Sequence, residues 1–158
     1  MGRLIIMSGA PGSGKSTYAK KLMQDKPSYI RVSRDNIRFT LLSPTDSYFS
    51  KEHEVLTTYY EKISFLLNMG YNVIADSSNL NWKARKTLIT EVSKRSTLSK
   101  VDVIYMRPSL ETCFQRNDTR EGRENVPHSA ITNMWNSQTD PANDPYHYNN
   151  IIYVGDET

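Results

Sequence analysis

Gly9-Ala10-Pro11-Gly12-Ser13-Gly14-Lys15-Ser16-Thr17 follows the apolar run Leu4-Ile5-Ile6-Met7 and leads into a helix-like run over residues 18–24. Its spacing is G-x-x-x-x-G-K-[ST]. In that pattern backbone N–H groups surround phosphate oxygens, the lysine reaches the β- and γ-phosphates, and the hydroxyl after it holds Mg²⁺. Glycine allows so tight a curl because it has no Cβ to clash. The helix that follows turns its positive N-terminal end toward the anion. A dinucleotide-binding G-x-G-x-x-G is the nearest rival, and it fails because its third glycine falls on Thr17.

Around this loop, 158 residues suit one domain with a substantial core. Cys113 is the only cysteine, so an internal disulfide and a multi-cysteine zinc site are excluded. Its place on an amphipathic run suggests buried filler. The apolar run after Arg3 ends at once in the glycine loop, which is not the layout of a signal peptide. No stretch has the length of a membrane span. These features lead us to expect a cytoplasmic protein. The net charge of +3 is unevenly spread. All 20 Lys and Arg lie at or before Arg123, against 12 acidic residues there, whereas residues 124–158 carry 5 acidic residues and no Lys or Arg. A basic body suits an anionic substrate.

Five apolar runs read as strands: 4–7, 29–32, 72–75, 101–106 and 150–154. The first, the fourth and the fifth are near-continuous, as in parallel strands covered on both faces. Helical patterns alternate with them. Over 51–69, Val55, Leu56, Tyr59, Tyr60, Ile63, Leu66 and Leu67 recur at three- and four-residue steps, with Gly70 as the stop. Trp82 to Lys94 forms another helix, with Leu88, Ile89 and Val92 inward and Lys83, Arg85 and Lys86 outward. Ser109 can cap a short one through Leu110, Cys113 and Phe114, and Pro127 can start one carrying Ile131, Met134 and Trp135. The expected fold is a three-layer α/β domain spanning 1–158 with a five-stranded parallel sheet. Ligands in such sheets sit beyond the carboxyl ends of the strands.

Chemistry is therefore sought after each strand. After the second come Arg34, Asp35 and Arg38. Asp35 can orient an acceptor hydroxyl and take its proton while Arg38 grips an acceptor phosphate, or Asp35 can be a helix cap with Arg38 its solvated companion. Arg34 is a second anion contact or plain surface. After the third come Asp76 and Asn79, where Asp76 can join Ser16 in the Mg²⁺ shell or cap a turn. Residues 116–127 carry Arg116, Arg120 and Arg123 with Gly122 and Pro127, the composition of a cationic lid over a triphosphate, or, with Asp118, Glu121 and Glu124 pairing off the arginines, of a solvated helix surface. The loop 42–47 borders the acceptor site or merely connects helices. His53, His128 and His147 have no partner at metal-ligand spacing, so Mg²⁺ with the nucleotide is the only metal expected.

In order and spacing, Gly9 to Thr17, Ser33 to Arg38, Asp76 to Asn81 and Arg116 to Pro127 resemble the kinase domain of the bacteriophage-type 5′-polynucleotide kinases. These belong to the wider group of P-loop kinases and AAA-type ATP-binding proteins. The resemblance implies a P-loop NTPase/kinase fold with an arginine-bearing lid, and ATP and Mg²⁺ as cofactors. It makes residues 9–17, that is Gly9, Ala10, Pro11, Gly12, Ser13, Gly14, Lys15, Ser16 and Thr17, the phosphate site. It also implies Asp35 as general base, Arg38 on the acceptor's 3′-phosphate, and Arg116 and Arg120 on the donor phosphates. The aspartate motif of the 3′-phosphatase found in bifunctional members is missing, so a kinase-only form is expected. The acceptor would be the 5′-hydroxyl of a DNA or RNA end, with no membrane partner and a homo-oligomer possible. A kinase of nucleosides, sugars or amino sugars shares the motifs, and a non-kinase NTP switch would need the phosphate loop without Asp35 and Arg38.

Overall fold

A computed structural model describes residues 2–156. Five strands, β1 (Leu4–Ser8), β2 (Tyr29–Ser33), β3 (Asn72–Asp76), β4 (Val101–Met106) and β5 (Asn150–Val154), form one sheet in the order β2-β3-β1-β4-β5. Every neighbouring pair is parallel. Six α-helices are described among these residues: α1 (Lys15–Asp25), α2 (Arg34–Leu41), α3 (Glu52–Asn68), α4 (Trp82–Ser93), α5 (Leu110–Asp118) and α6 (His128–Ser137).

The three layers follow from the alternation of β1. Leu4 and Ile6 face Tyr59, Ile63 and Leu67 of α3 and Leu88, Ile89 and Val92 of α4. Ile5 and Met7 face the other way, with Ala19 of α1, Ile74 and Ile104. Successive side chains of a strand point to opposite faces, so a central parallel strand must be apolar throughout, and all five residues of β1 are buried. The Tyr59 ring is core, as its helical period requires. Cys113 is fully buried filler.

Three expectations need correction. First, β5 is an edge strand, with Ile152 43% and Tyr153 54% exposed. Its apolar run is only partly covered, Ile151 packing against the core cluster on one face and Val154 against the cluster on the other. Second, Arg85 does not point outward. It is fully buried, donating to both carboxylate oxygens of Asp144 at 2.7 and 2.9 Å and to the carbonyls of Asn79 at 3.2 Å and Thr139 at 3.1 Å. Third, α5 runs on to Asp118, so Arg116 lies on a helix rather than in a flap.

The sheet brings the ends of β1, β2 and β3 to one edge, where Ser33 pairs in register with Asp76. The loop after β1 sits centrally on that edge, flanked by β3 and β4.

Candidate functional site

The phosphate loop is shaped by its glycines. Gly12 has φ 81° and Gly14 φ 96°, the left-handed region that glycine enters freely. Space also forbids a side chain at two positions. A Cβ at Gly12 would lie 2.3 Å from the Cys113 carbonyl oxygen, and one at Gly9 would lie 2.3 Å from Ser13 Oγ. Helix α5 thus backs the loop, and Arg116 on it donates to the Ser13 carbonyl at 3.0 Å. Gly14 caps α1 without any side-chain acceptor, and the first turn has no acidic residue. The first N–H groups of the helix therefore face no competing anion from their own turn. Lys15 Nζ donates to the carbonyls of Gly9 at 2.8 Å and Ala10 at 3.1 Å. Burial pushes its pKa down, and the nearby Arg120 charge pushes the same way against the pull of Asp76. Ser13 Oγ is buried without a partner. An uncapped helix, a lysine resting on carbonyls and an orphaned hydroxyl fit a polyphosphate.

Beside the loop stands an arrangement the motif reading did not contain. Arg31 of β2 donates through Nε to Asp76 Oδ2 at 2.7 Å and through Nη2 to Ser16 Oγ at 2.9 Å. Ser16 Oγ lies 3.3 Å from the same carboxylate oxygen. Ser16 and Asp76 are adjacent oxygen donors, the set a hard Mg²⁺ ion uses, and the Asp76 side chain is 6% exposed. The donor set fits Mg²⁺ beside a nucleotide. Among the described residues, no cluster of three or more His, Cys, Asp or Glu side chains offers another metal site.

Across the cleft from the phosphate loop, Ser33 caps α2, its Oγ accepting from Asn36 N–H at 3.1 Å. Asp35 is therefore not the cap, and its side chain is 65% exposed. Arg38 is not a solvated companion either. Only 4% of its side chain is exposed, and it bridges Asp35 at 2.5 Å and both oxygens of Glu52 at 2.6 and 2.8 Å. Arg34 reaches the same Glu52 at 3.3 Å. Both arginines keep a buried Nε–H without a partner. Tyr48 donates to Asp35 at 3.3 Å, and burial with the Asp35 charge pushes the Tyr48 phenol up, so it stays protonated. Glu52 and Tyr48 were invisible as site residues, because they belong to a later helix start and a loop that only the fold brings back to α2.

Residues 119–127 cross the cleft. Their ends are pinned by the buried Asn117 on α5, which donates to the Val126 carbonyl at 2.8 Å and accepts from Val126 N–H at 2.9 Å, imitating a strand pairing. Arg120 faces the cleft, and Arg123 donates to the carbonyls of Pro44 at 3.1 Å and Asp46 at 2.6 Å. The loop 42–47 is thus tied to the segment opposite rather than acting as a bare connector. Asn79 does not line the cleft. It is buried with φ 42°, and its Nδ2 donates to the Met7 carbonyl at 2.9 Å, holding the end of β1.

Lys15, Ser16, Arg31, Arg34, Asp35, Arg38, Asp76 and Arg120 share a single cleft of about 780 Å³. That volume suits a nucleotide-sized ligand. A family model described as an AAA domain matches residues 4–145. The chain belongs to this AAA-domain family. Its AAA domain has the P-loop kinase fold, and two curated relatives carry kinase names. A bifunctional polynucleotide kinase/RNA ligase, as it is named, of Autographa californica nuclear polyhedrosis virus is 26% identical over 136 residues, covering 77% of this chain and 18% of the viral protein. A guanylate kinase of Rhodopirellula baltica is 30% identical over 122 residues, 68% of this chain and 56% of that enzyme. The AAA-domain chain thus spans about half or less of these curated relatives. A chain of an RNA repair complex superposes with TM-score 0.71 at 26% identity, covering 86% of this chain and 43% of the other. Among the described residues, no helix is long and apolar enough to cross a membrane.

Proposed function

We infer that this protein is an ATP- and Mg²⁺-dependent kinase that transfers the γ-phosphoryl group to the 5′-hydroxyl of a DNA or RNA end. The observation that carries this reading is Asp35. Its carboxylate is 65% exposed on the rim of a cleft whose floor holds Lys15 and Ser16, and it is flanked by Arg34 and Arg38. A chain end needs an open, basic approach to the base, whereas a small metabolite needs an enclosed pocket.

Residues 9–17 would hold the β- and γ-phosphates through backbone N–H groups and Lys15. Ser16 and Asp76 would hold the Mg²⁺, which when bound offsets charge on the phosphate oxygens. Asp35 accepts the proton of the acceptor hydroxyl as its oxygen bonds to the γ-phosphorus. The bond from that phosphorus to the bridging oxygen breaks, and ADP departs with the electron pair. Lys15 and Arg120 offset the charge of a loose transition state, where positioning and electrostatics supply most of the catalysis. Arg34, 31% exposed, presents a cation to an acceptor phosphate, and the buried Arg38 fixes the Asp35 carboxylate. Residues 119–127 act as the lid that excludes water, with Arg116 behind the phosphate loop. We read residues 1–158 as one kinase domain working in the cytoplasm.

Similarity to a guanylate kinase keeps a small-molecule acceptor as the second reading. The test offers γ-labelled ATP with 5′-hydroxyl oligonucleotides beside nucleosides, nucleoside monophosphates, sugars and amino sugars. Label on the oligonucleotide is the expected result. Label on small molecules alone rejects the polynucleotide reading, and hydrolysis without any labelled acceptor makes the protein an ATPase.

A further inference from the structure

Phe49 is 66% exposed, the most exposed of the large hydrophobic side chains described. A lone exposed aromatic requires no explanation by itself. Its surroundings supply one. The ring lines the same cleft as Asp35 and Lys15. It meets Tyr48 edge to face at a centroid distance of 4.7 Å, and the Tyr48 hydroxyl donates to Asp35. Phe49 is therefore one phenol ring away from the proposed base. The Arg38 guanidinium lies 4.5 Å from the Tyr48 centroid and 5.5 Å from that of Phe49, so the buried cation supports both rings.

The loop that presents Phe49 is fixed at several points. Ser43 N–H donates to Asp46 at 2.9 Å, Lys51 donates to the Leu41 carbonyl at 2.8 Å and pairs with Asp46 at 3.4 Å, and Arg123 clasps the Pro44 and Asp46 carbonyls from the opposite side. An aromatic face held in place and left open to a cleft costs little further ordering when a planar ligand stacks on it.

We propose that Phe49 is a stacking platform for the terminal nucleobase of a single-stranded 5′-hydroxyl end, seating that base while its ribose hydroxyl reaches Asp35. The proposal rests on the polynucleotide reading and deepens it. Tyr48 stands between Phe49 and Asp35 as the ribose stands between the base and the 5′-oxygen of a nucleoside. Every base has a π-face, so such a platform grips the end without reading its sequence.

The test compares wild type with Phe49→Ala and Phe49→Trp on 5′-hydroxyl oligonucleotides, one set ending in an ordinary nucleotide and one in an abasic residue. Stacking on one aromatic predicts a KM for the ordinary end that rises about tenfold in Phe49→Ala and is restored in Phe49→Trp, with the KM for ATP unmoved. The abasic end should show no difference between wild type and Phe49→Ala. In Phe49→Trp the added indole fluorescence should be quenched by an ordinary 5′-hydroxyl end and not by the abasic one. Equal KM values for wild type and Phe49→Ala on the ordinary end would overturn the platform and leave the kinase reading standing. A wild type that phosphorylates no oligonucleotide at all would reject both. Coincident thermal melts of the three proteins separate a lost platform from misfolding.

Discussion

Arg31 sits two residues before the end of β2 and holds the two oxygen donors, Ser16 and Asp76, that a nucleotide's Mg²⁺ would use. The Asp76 side chain is 6% exposed, so its charge needs a partner whether or not an ion is bound. Here that partner is the Arg31 guanidinium. Arg31→Ala takes its hydrogen-bonded counter-charge from a nearly buried carboxylate, leaving the more distant Lys15, and should cost about 3 kcal/mol, read from urea unfolding. Millimolar Mg²⁺ should restore part of the loss, because the variant opens the donor pair. An unchanged unfolding midpoint would mean that this carboxylate is solvated well enough without Arg31. The other residues of the cleft sort by whether a motif marks them. Lys15 and Ser16 carry the pattern themselves, whereas Glu52, Tyr48 and Arg31 are ordinary residues at ordinary places and gain a role only through what the fold sets beside them.

At the scale of elements, α4 shows both what the sequence discloses and what it hides. Arg85 precedes Leu88, Ile89 and Val92 by three, four and seven residues, which puts it in the middle of their apolar stripe. The spacing was legible, yet residue type suggested solvent. Burial is possible because Asp144, from the connection before β5, is 3% exposed and supplies both carboxylate oxygens. That pairing spans 59 residues and cannot be read from either segment alone. Arg85→Ala should destabilise by about 4 kcal/mol in denaturant unfolding, since it strands the Asp144 charge in the interior. A loss under about 1 kcal/mol would place the pair in the class of solvated bridges. The strands were legible throughout, because parallel strands next to a phosphate loop are runs of β-branched and apolar residues. The edge position of β5 was not. Apolar content is the same in an edge strand and a central one, and only the strand order distinguishes them. The lid boundary was misjudged for a related reason: Arg116 continues the α5 pattern, but its charge grouped it with Arg120 and Arg123.

Across the whole molecule, the site is assembled from both sides of the sheet edge, and the two loops on either side of the cleft touch each other. Arg123 on one binds the carbonyls of Pro44 and Asp46 on the other. If residues 119–127 are a lid, nucleotide should hold them down. Trypsin should cut after Arg120 or Arg123 in the free protein, and a non-hydrolysable ATP analogue should slow that cut while leaving cleavage elsewhere unaffected. Equal rates with and without nucleotide would remove the lid from the account. The proposed donor half of the site, at Lys15 and Ser16, and the proposed acceptor half, at Asp35 and Arg38, come from different strand ends, and the central claim is that they act together. The measurement that tests it most directly is phosphoryl transfer from labelled ATP to a 5′-hydroxyl oligonucleotide by wild type and Asp35→Asn, with ATP binding measured alongside. A lost general base predicts a kcat lower by at least about a hundredfold with ATP affinity unchanged. An Asp35→Asn protein that labels the oligonucleotide at the wild-type rate would contradict the account.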